Sequence, residues 1–119
     1  AGAESFNMTY QELFEDKPKT IVMAILSDKD ENGIIREVVK PKDTVIAVAA
    51  PTPRTEIPEQ LVENVRQCVK QVVAQTEESV SDALELALRS TQAGDNIVVC
   101  GSLYILGEAR SWLQDRLSH

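Results

Sequence analysis

The chain has 119 residues, of which 43% are hydrophobic and only 4% aromatic, and its formal charge at pH 7 is −7. This length suits one domain with its own core and is too short for two. The negative charge argues against a nucleic-acid backbone or an anionic membrane as partner, because both would repel the protein. An anionic ligand would therefore need a local group of basic side chains.

Cysteine and histidine usage predicts neither a zinc site nor a secreted, disulfide-bonded fold. Cys68 and Cys100 stand in apolar surroundings without a Cys-x-x-Cys pair, and the only histidine is His119. We predict two buried, reduced thiols and no metal site. No apolar run reaches the roughly 20 residues needed to cross a bilayer, and the first residues do not resemble a secretion signal. These features predict a cytoplasmic protein.

Helices and strands alternate in the first half of the chain. Helical spacing of apolar residues and continuous apolar runs predict, in order, a helix over 1–16, a strand over 20–26, a helix over 31–39 and a strand over 44–50. Asp30 is a favoured N-cap for the second helix, which Pro41 ends. Two prolines make the loop 51–55 stiff, and Pro58 then opens a further helix.

The next segment allows two interpretations. Helical periodicity could continue to Ala74, but Gln71–Ala74 is also a plausible short strand, and the alternation of elements on either side favours the strand. Ser79 is then expected to cap a helix, with Asp82 completing an imperfect capping box and Gly94 closing the helix. The apolar side of this helix is predicted to comprise Leu84, Ala87, Leu88 and Thr91.

A strand over 96–100 leads directly into the last predicted helix. Gly101 permits a tight turn and close approach to the backbone, and Ser102 is a favoured N-cap. The helix should bury Leu103, Leu106, Ala109, Leu113 and Leu117. A helix followed by four strand–helix units with right-handed crossovers predicts an α/β fold, a three-layer αβα arrangement around a mainly parallel sheet.

Ligands of open parallel sheets bind beyond the carboxyl ends of the strands. The predicted strands deliver a group of charged and hydroxyl residues to that edge, namely Asp28, Lys29, Asp30, Arg54, Ser102 and Tyr104. Two cations beside a helix N-terminus favour a carboxylate or phosphate ligand. Taken singly, each charged residue is more often a solvated loop residue, and the acids can serve as turn or cap residues.

Catalytic residues are not predicted within the chain. Neither cysteine has a basic setting, and the sequence lacks a Gly-x-x-x-x-Gly-Lys-[Ser/Thr] phosphate loop. A response-regulator receiver would need a phosphorylatable Asp at the end of a central strand, where this chain has Ala49-Ala50-Pro51. These residues alone therefore cannot complete phosphoryl chemistry, and a non-catalytic α/β regulatory or interaction module is compatible with the sequence.

Four stretches resemble one family in its own order and spacing. They are Thr20–Asp30 with its Asp-Lys-Asp end, Val45–Arg54 with its Pro-Arg turn, Ser79–Glu85, and Val-Cys-Gly-Ser-Leu-Tyr-Ile-Leu-Gly-Glu-Ala-Arg over 99–110. Together they resemble the C-terminal domain of folylpolyglutamate synthase / dihydrofolate synthase, in the Mur ligase superfamily. The resemblance implies a Rossmann-like fold.

The resemblance also implies a function. Enzymes of this family are ATP-dependent ligases that phosphorylate the carboxylate of dihydropteroate or a folate, and the amine of L-glutamate attacks the acyl phosphate. ATP and Mg would bind mainly outside this chain, in an ATP-binding domain of the same polypeptide. By resemblance, the residues lining the glutamate site are Lys29 and Ser102, which would hold its carboxylates, together with Asp28, Asp30, Arg54 and Tyr104.

Three features of the family are missing from the sequence. It lacks the Asp-Gly-Ala-His-Asn-Pro motif that precedes the first helix of the domain, and it lacks the phosphate loop and the magnesium ligands of the ATP-binding central domain. We therefore expect residues 1–119 to be a single domain, truncated at its N-terminus and inactive as a ligase by itself.

Overall fold

Four parallel strands form one sheet, with the first of them in an inner position. The computed structural model of the chain describes residues 19–27, 30–90, 96–101 and 103–117. The strands are β1 (Lys19–Ala24), β2 (Thr44–Ala47), β3 (Val73–Thr76) and β4 (Asn96–Gly101). They lie in the order β3-β2-β1-β4, and all neighbouring pairs are parallel. The predicted helix over 1–16 and Gly94 fall outside the described residues.

Helices cover both faces of this sheet. They are α1 (Glu31–Val38), α2 (Pro58–Cys68), α3 (Val80–Ser90) and α4 (Leu103–Leu117). Ile21 and Met23 of β1 pack against α1 and α2, whereas Val22 and Ala24 pack against α3 and α4. Alternate residues of a strand point to opposite faces, so an inner strand of such a sheet must be apolar throughout. The predicted three-layer αβα fold is confirmed.

Three helices begin as their sequences predict. The Asp30 carboxylate accepts a hydrogen bond from the Gly33 N–H at 3.2 Å and caps α1. Pro58 is the first residue of α2, where its missing N–H is no loss. The Ser79 hydroxyl accepts from the Asp82 N–H at 3.1 Å at the start of α3. No helix in the described ranges combines the length and apolarity needed for a membrane span.

Strand β3 exists, but two residues later than predicted. The prediction placed it at Gln71–Ala74, whereas parallel pairing with β2 aligns Val73 with Thr44. Gln71 instead lies in a turn with a φ of 58°, and its carbonyl accepts from the Lys42 N–H at 2.8 Å. At the sheet edge only Ala74 of the four strand residues is buried, so apolar content could not define the bounds.

Helix α4 packs with a face that overlaps the predicted one at Ala109, and the side chains of Leu103 and Leu117 lie outside the described residues. Its contacts with the sheet and α3 come from Ile105, Ala109 and Trp112, which recur at helical spacing. Leu113, predicted to be buried, is 49% exposed. Leu88 of α3 is likewise 42% exposed, although it too was assigned to the buried side. The spacing of the leucines therefore predicted the buried faces of these two helices only in part.

Both cysteines are free thiols, but only one is fully buried. Cys100 is 0% exposed in the core, and burial raises the pKa of its thiol to about 12 despite a small opposing effect of the Lys19 charge. Cys68 is half-buried, contrary to the prediction, and its thiol donates to Asn32 Oδ1 at 3.6 Å. It lies where the end of α2 faces the solvent-accessible side of α1.

A buried ion pair holds the amino end of the sheet together. Lys19 and Asp43 are 3% and 2% exposed, and Lys19 Nζ lies 2.5 Å from Asp43 Oδ2. The same carboxylate accepts from the backbone N–H groups of Lys19 at 3.1 Å and Lys40 at 2.8 Å. The strand was predicted to begin at Thr20, and this pair was not predicted.

Candidate functional site

Three strands end at one level, at the carboxyl edge of the sheet. The register aligns Met23 with both Ala47 and Cys100, and Ala24 with Gly101. Residues that follow parallel strands at the same level emerge side by side, which is where open α/β sheets bind ligands. The loops after β1 and β2 and the start of α4 therefore surround one region.

The loops after β1 and β2 are joined by main-chain hydrogen bonds. Leu26 and Thr55 form an antiparallel bridge. The Ser27 N–H donates to the Arg54 carbonyl at 2.7 Å, and the Glu56 N–H donates to the Ile25 carbonyl at 2.8 Å. We call residues 25–27 and 54–56 the loop clamp. It fixes the Arg54 backbone beside Ser27, which directly precedes Asp28.

The loop from residue 50 to residue 55, which its two prolines predict to be stiff, is also held by hydrogen bonds. The Thr52 N–H donates to the Ala50 carbonyl at 2.8 Å, and the Thr55 N–H donates to the Thr52 carbonyl at 3.1 Å. The Arg54 N–H donates to the Thr52 hydroxyl at 3.4 Å. Because proline fixes φ and these bonds fix the remaining peptides, the backbone that carries Arg54 is preorganised.

Gly101 is required at the end of β4, both for the backbone freedom that the prediction invoked and because β1 lies against it. Its φ of 114° lies in a region that residues with a side chain rarely adopt. A Cβ at this position would overlap the carbonyl oxygen of Ala24 and lie 3.0 Å from its carbonyl carbon. The neighbouring strand therefore demands a glycine here.

The predicted binding residues divide into two groups. Asp28, Lys29 and Ser102 lie outside the described residues, and for Tyr104 only the backbone, in the first turn of α4, is described. Asp30 and Arg54 are exposed on the two loops that the loop clamp joins. The Asp30 carboxylate caps α1, so its interpretation as a cap residue is confirmed, and its contribution to ligand binding remains a prediction.

Glu31 was not assigned any role from the sequence, where it is simply an acid in the first turn of a helix. Its carboxylate accepts a hydrogen bond from the Asn64 amide of α2, while its Oε1 atom is buried with no hydrogen-bond partner among the described residues. Burial raises the pKa of Glu31, the Asn64 bond lowers it, and the nearby Glu56 charge raises it again. The charge of Glu31 therefore opposes folding.

Replacing Glu31 with glutamine should stabilise the protein at neutral pH. A raised pKa means that the folded chain binds the proton more tightly, so stability is lost as pH rises through the folded-state pKa. We expect Glu31→Gln to gain a few tenths of a kcal/mol at pH 7, since the group is partly solvated, and nothing below about pH 4. Urea unfolding at both pH values measures this difference.

The matched control for this prediction is Glu59→Gln. Glu59 is an exposed acid in the first turn of α2, so its replacement loses a similar interaction with the helix dipole without relieving burial. If Glu31→Gln were no more stable at pH 7 than Glu59→Gln, burial of the Glu31 charge would not be the cause.

Comparison with known families and structures gives one consistent result. The family model described as "Dihydrofolate synthetase, C-terminal domain" matches residues 3–111. E. coli FolC in complex with DHPP and ADP is 25% identical, with a TM-score of 0.78 over 96% of this chain and 26% of that one. Folylpolyglutamate synthase from Thermotoga maritima is 30% identical, with a TM-score of 0.71 over 94% of this chain and 25% of that one.

A third structure shares the fold at lower identity. The bifunctional folylpolyglutamate synthase/dihydrofolate synthase from Yersinia pestis, complexed with AMPPNP and Mn ion, is 22% identical, with a TM-score of 0.75 over 95% of this chain and 27% of that one. Comparison with curated proteins yields no match. The chain spans about a quarter of the length of these solved structures. Because the family model matches almost the whole chain, the protein belongs to the dihydrofolate synthetase C-terminal domain family.

Proposed function

We propose that this chain is the C-terminal domain of an ATP-dependent ligase that adds L-glutamate to dihydropteroate or a folate through an acyl phosphate. In this proposal residues 1–119 form a single domain of a longer enzyme. The domain binds the incoming glutamate and closes over the nucleotide, which a separate ATP-binding domain of the same polypeptide holds. The isolated chain is expected to show no ligase activity.

The observation that carries the proposal is the Ser27–Arg54 hydrogen bond of the loop clamp, at 2.7 Å. It supports a shared site because it holds the Arg54 loop beside the segment that leads to Lys29. Glutamate carries two carboxylates, and a pair of cations on neighbouring loops suits such a ligand. In a chain of net charge −7, a site of this kind requires local cations.

Each remaining candidate has a role in the proposal. Lys29 and Ser102 hold the carboxylates of the glutamate, and Arg54 and Tyr104 line the closed site. Asp28 and Asp30 face the amine. The proposal assigns the side chains of this domain to binding and orienting the amino acid.

ATP and Mg are assigned to the remainder of the enzyme. Within the described parts of the chain, no three His, Cys, Asp or Glu side chains converge on a possible metal position. The sequence also lacks a phosphate-binding loop. The proposal therefore assigns to this domain the binding of the amino acid and the contacts made on closure.

The test is steady-state kinetics of the full-length ligase carrying Lys29→Ala. Loss of one charge-assisted bond to a carboxylate is worth about 1.5–3 kcal/mol, so the glutamate KM should rise roughly tenfold to 100-fold. The KM values for ATP and the folate substrate should stay within about twofold. Ser102→Ala should act in the same direction.

Lys70→Ala is the matched control. Lys70 is an exposed lysine between α2 and β3, at the amino end of the sheet and so opposite the candidate site. Its replacement by alanine removes one positive charge, as Lys29→Ala does. Equal glutamate KM values for the Lys29 and Lys70 variants would refute the proposed glutamate site. They would favour a non-catalytic interaction domain.

A further inference from the structure

We infer that Thr55 is a positioning residue for the amino-acid site, a role that rests on the proposed function. Its hydroxyl joins the two ends of the loop that presents Arg54, and its backbone belongs to the loop clamp. Thr55 does not need to touch the substrate. It fixes the positions of the loops after β1 and β2 when the substrate binds.

The Thr55 side chain makes two hydrogen bonds within the loop that follows β2. Its Oγ1 accepts from the Ala50 N–H at 2.8 Å and donates to the Glu56 carbonyl at 3.3 Å. Ala50 is 4% exposed, so its N–H needs an acceptor inside the protein. One hydroxyl therefore connects Ala50, three residues after the end of β2, with Glu56, two residues before the start of α2.

The backbone on both sides of Thr55 is bonded to the segment after β1. The Arg54 carbonyl accepts from Ser27, and the Glu56 N–H donates to Ile25. The Thr55 side chain thus holds the loop after β2 closed. The peptide groups on either side of Thr55 bond that loop to the segment that leads to Lys29. Loss of the hydroxyl should loosen the loops after β1 and β2 together. A residue that only supported Arg54 would affect the loop after β2 alone.

The kinetic test uses the full-length enzyme with Thr55→Val, which keeps the shape and removes the hydroxyl. We expect the glutamate KM to rise about tenfold, while kcat and the ATP KM change less than about twofold. Thr55→Ser keeps the hydroxyl and should return the glutamate KM to within about twofold of wild type. A merely structural role would lower kcat through loss of folded enzyme and leave KM unchanged, which would overturn the inference.

A second measurement tests the loop clamp without relying on the ligase activity. Amide hydrogen exchange of the 119-residue chain should quicken at Ala50, Ser27 and Glu56 in Thr55→Val and return to wild-type rates in Thr55→Ser. Exchange at Ile46, in the core of β2, should be unchanged, which shows that the variant is folded. Unchanged exchange at Ser27 and Glu56 would overturn the inference.

The two measurements separate this inference from the proposed function. If Lys29→Ala raised the glutamate KM but Thr55→Val left it unchanged, Thr55 would not be a positioning residue and the glutamate site would stand. If Lys29→Ala had no effect on the glutamate KM, the site itself would fail, and hydrogen exchange would still report whether Thr55 joins the loops.

Discussion

Replacing Asp43 with alanine is expected to lower the free energy of unfolding by about 3–5 kcal/mol. The change removes the carboxylate that faces the Lys19 ammonium, a side chain only 1% exposed. It also removes the acceptor for the backbone N–H groups of Lys19 and Lys40. Charges and donors that lie away from water depend on such partners. Urea denaturation at pH 7 measures the loss.

Two further variants show which part of this cost is electrostatic. Lys19→Met leaves the Asp43 carboxylate with its two backbone donors and fills the same space with an apolar chain, so it should cost less than Asp43→Ala. In Asp43→Asn the side-chain oxygen can still accept from the backbone, so its cost should be intermediate. A loss below about 1 kcal/mol for Asp43→Ala would contradict the assigned role of the pair.

Gly101→Ala should be destabilising by about 3 kcal/mol, because two penalties combine. A side chain strains the backbone at a φ of 114°, and the added Cβ would overlap the Ala24 carbonyl oxygen. Both strands would have to shift where β1 and β4 end together. A thermal or urea unfolding curve measures the loss, and the variant is expected to retain its α/β circular dichroism below the transition.

Gly107→Ala provides a control of opposite sign. Gly107 is an exposed residue inside α4, and a Cβ there would meet no atom within 4 Å. Alanine at such a position should stabilise the helix by about 0.5–1 kcal/mol. If the two alanine variants had equal stability, the close approach of β1 and β4 at Gly101 would not be the reason for glycine.

The architecture could be predicted because its signals are local. Continuous apolar runs marked β1, β2 and β4, and the caps Asp30 and Ser79, with Pro58 in a first helical position, marked the helix starts. The strand ends were less accurate. Apolar residues continue past Ala24, and only contact with residues 54–56 turns the chain there into an antiparallel bridge. Such a change depends on a distant segment and leaves no mark in the local sequence.

Side-chain environments were harder to predict than elements. Lysine and aspartate side chains are normally exposed to solvent, so nothing in the sequence indicated that Lys19 and Asp43 are buried together. In α4, Ala109 was correctly predicted to face the core, but the leucines at helical spacing drew the prediction away from Ile105 and Trp112. Contact with α3 and the sheet decides which of two apolar stripes is covered.

The candidate site was partly predictable. The rule that ligands bind beyond the carboxyl ends of parallel strands brought the loops after β1 and β2 together in the prediction, and hydrogen bonds join them in the structure. Thr55 could not be identified in this way. Its importance depends on the Ala50 N–H, and that partner is defined only once the loop conformation is known.

The position of β1 in the sheet has a consequence for how the protein is made. β1 pairs on one side with β2, but on the other side with β4, which follows most of the chain. Contacts between such distant segments close slowly, and they cannot form while the last strand is still inside the ribosome. A nascent chain that has not yet released β4 therefore leaves one edge of β1 unpaired.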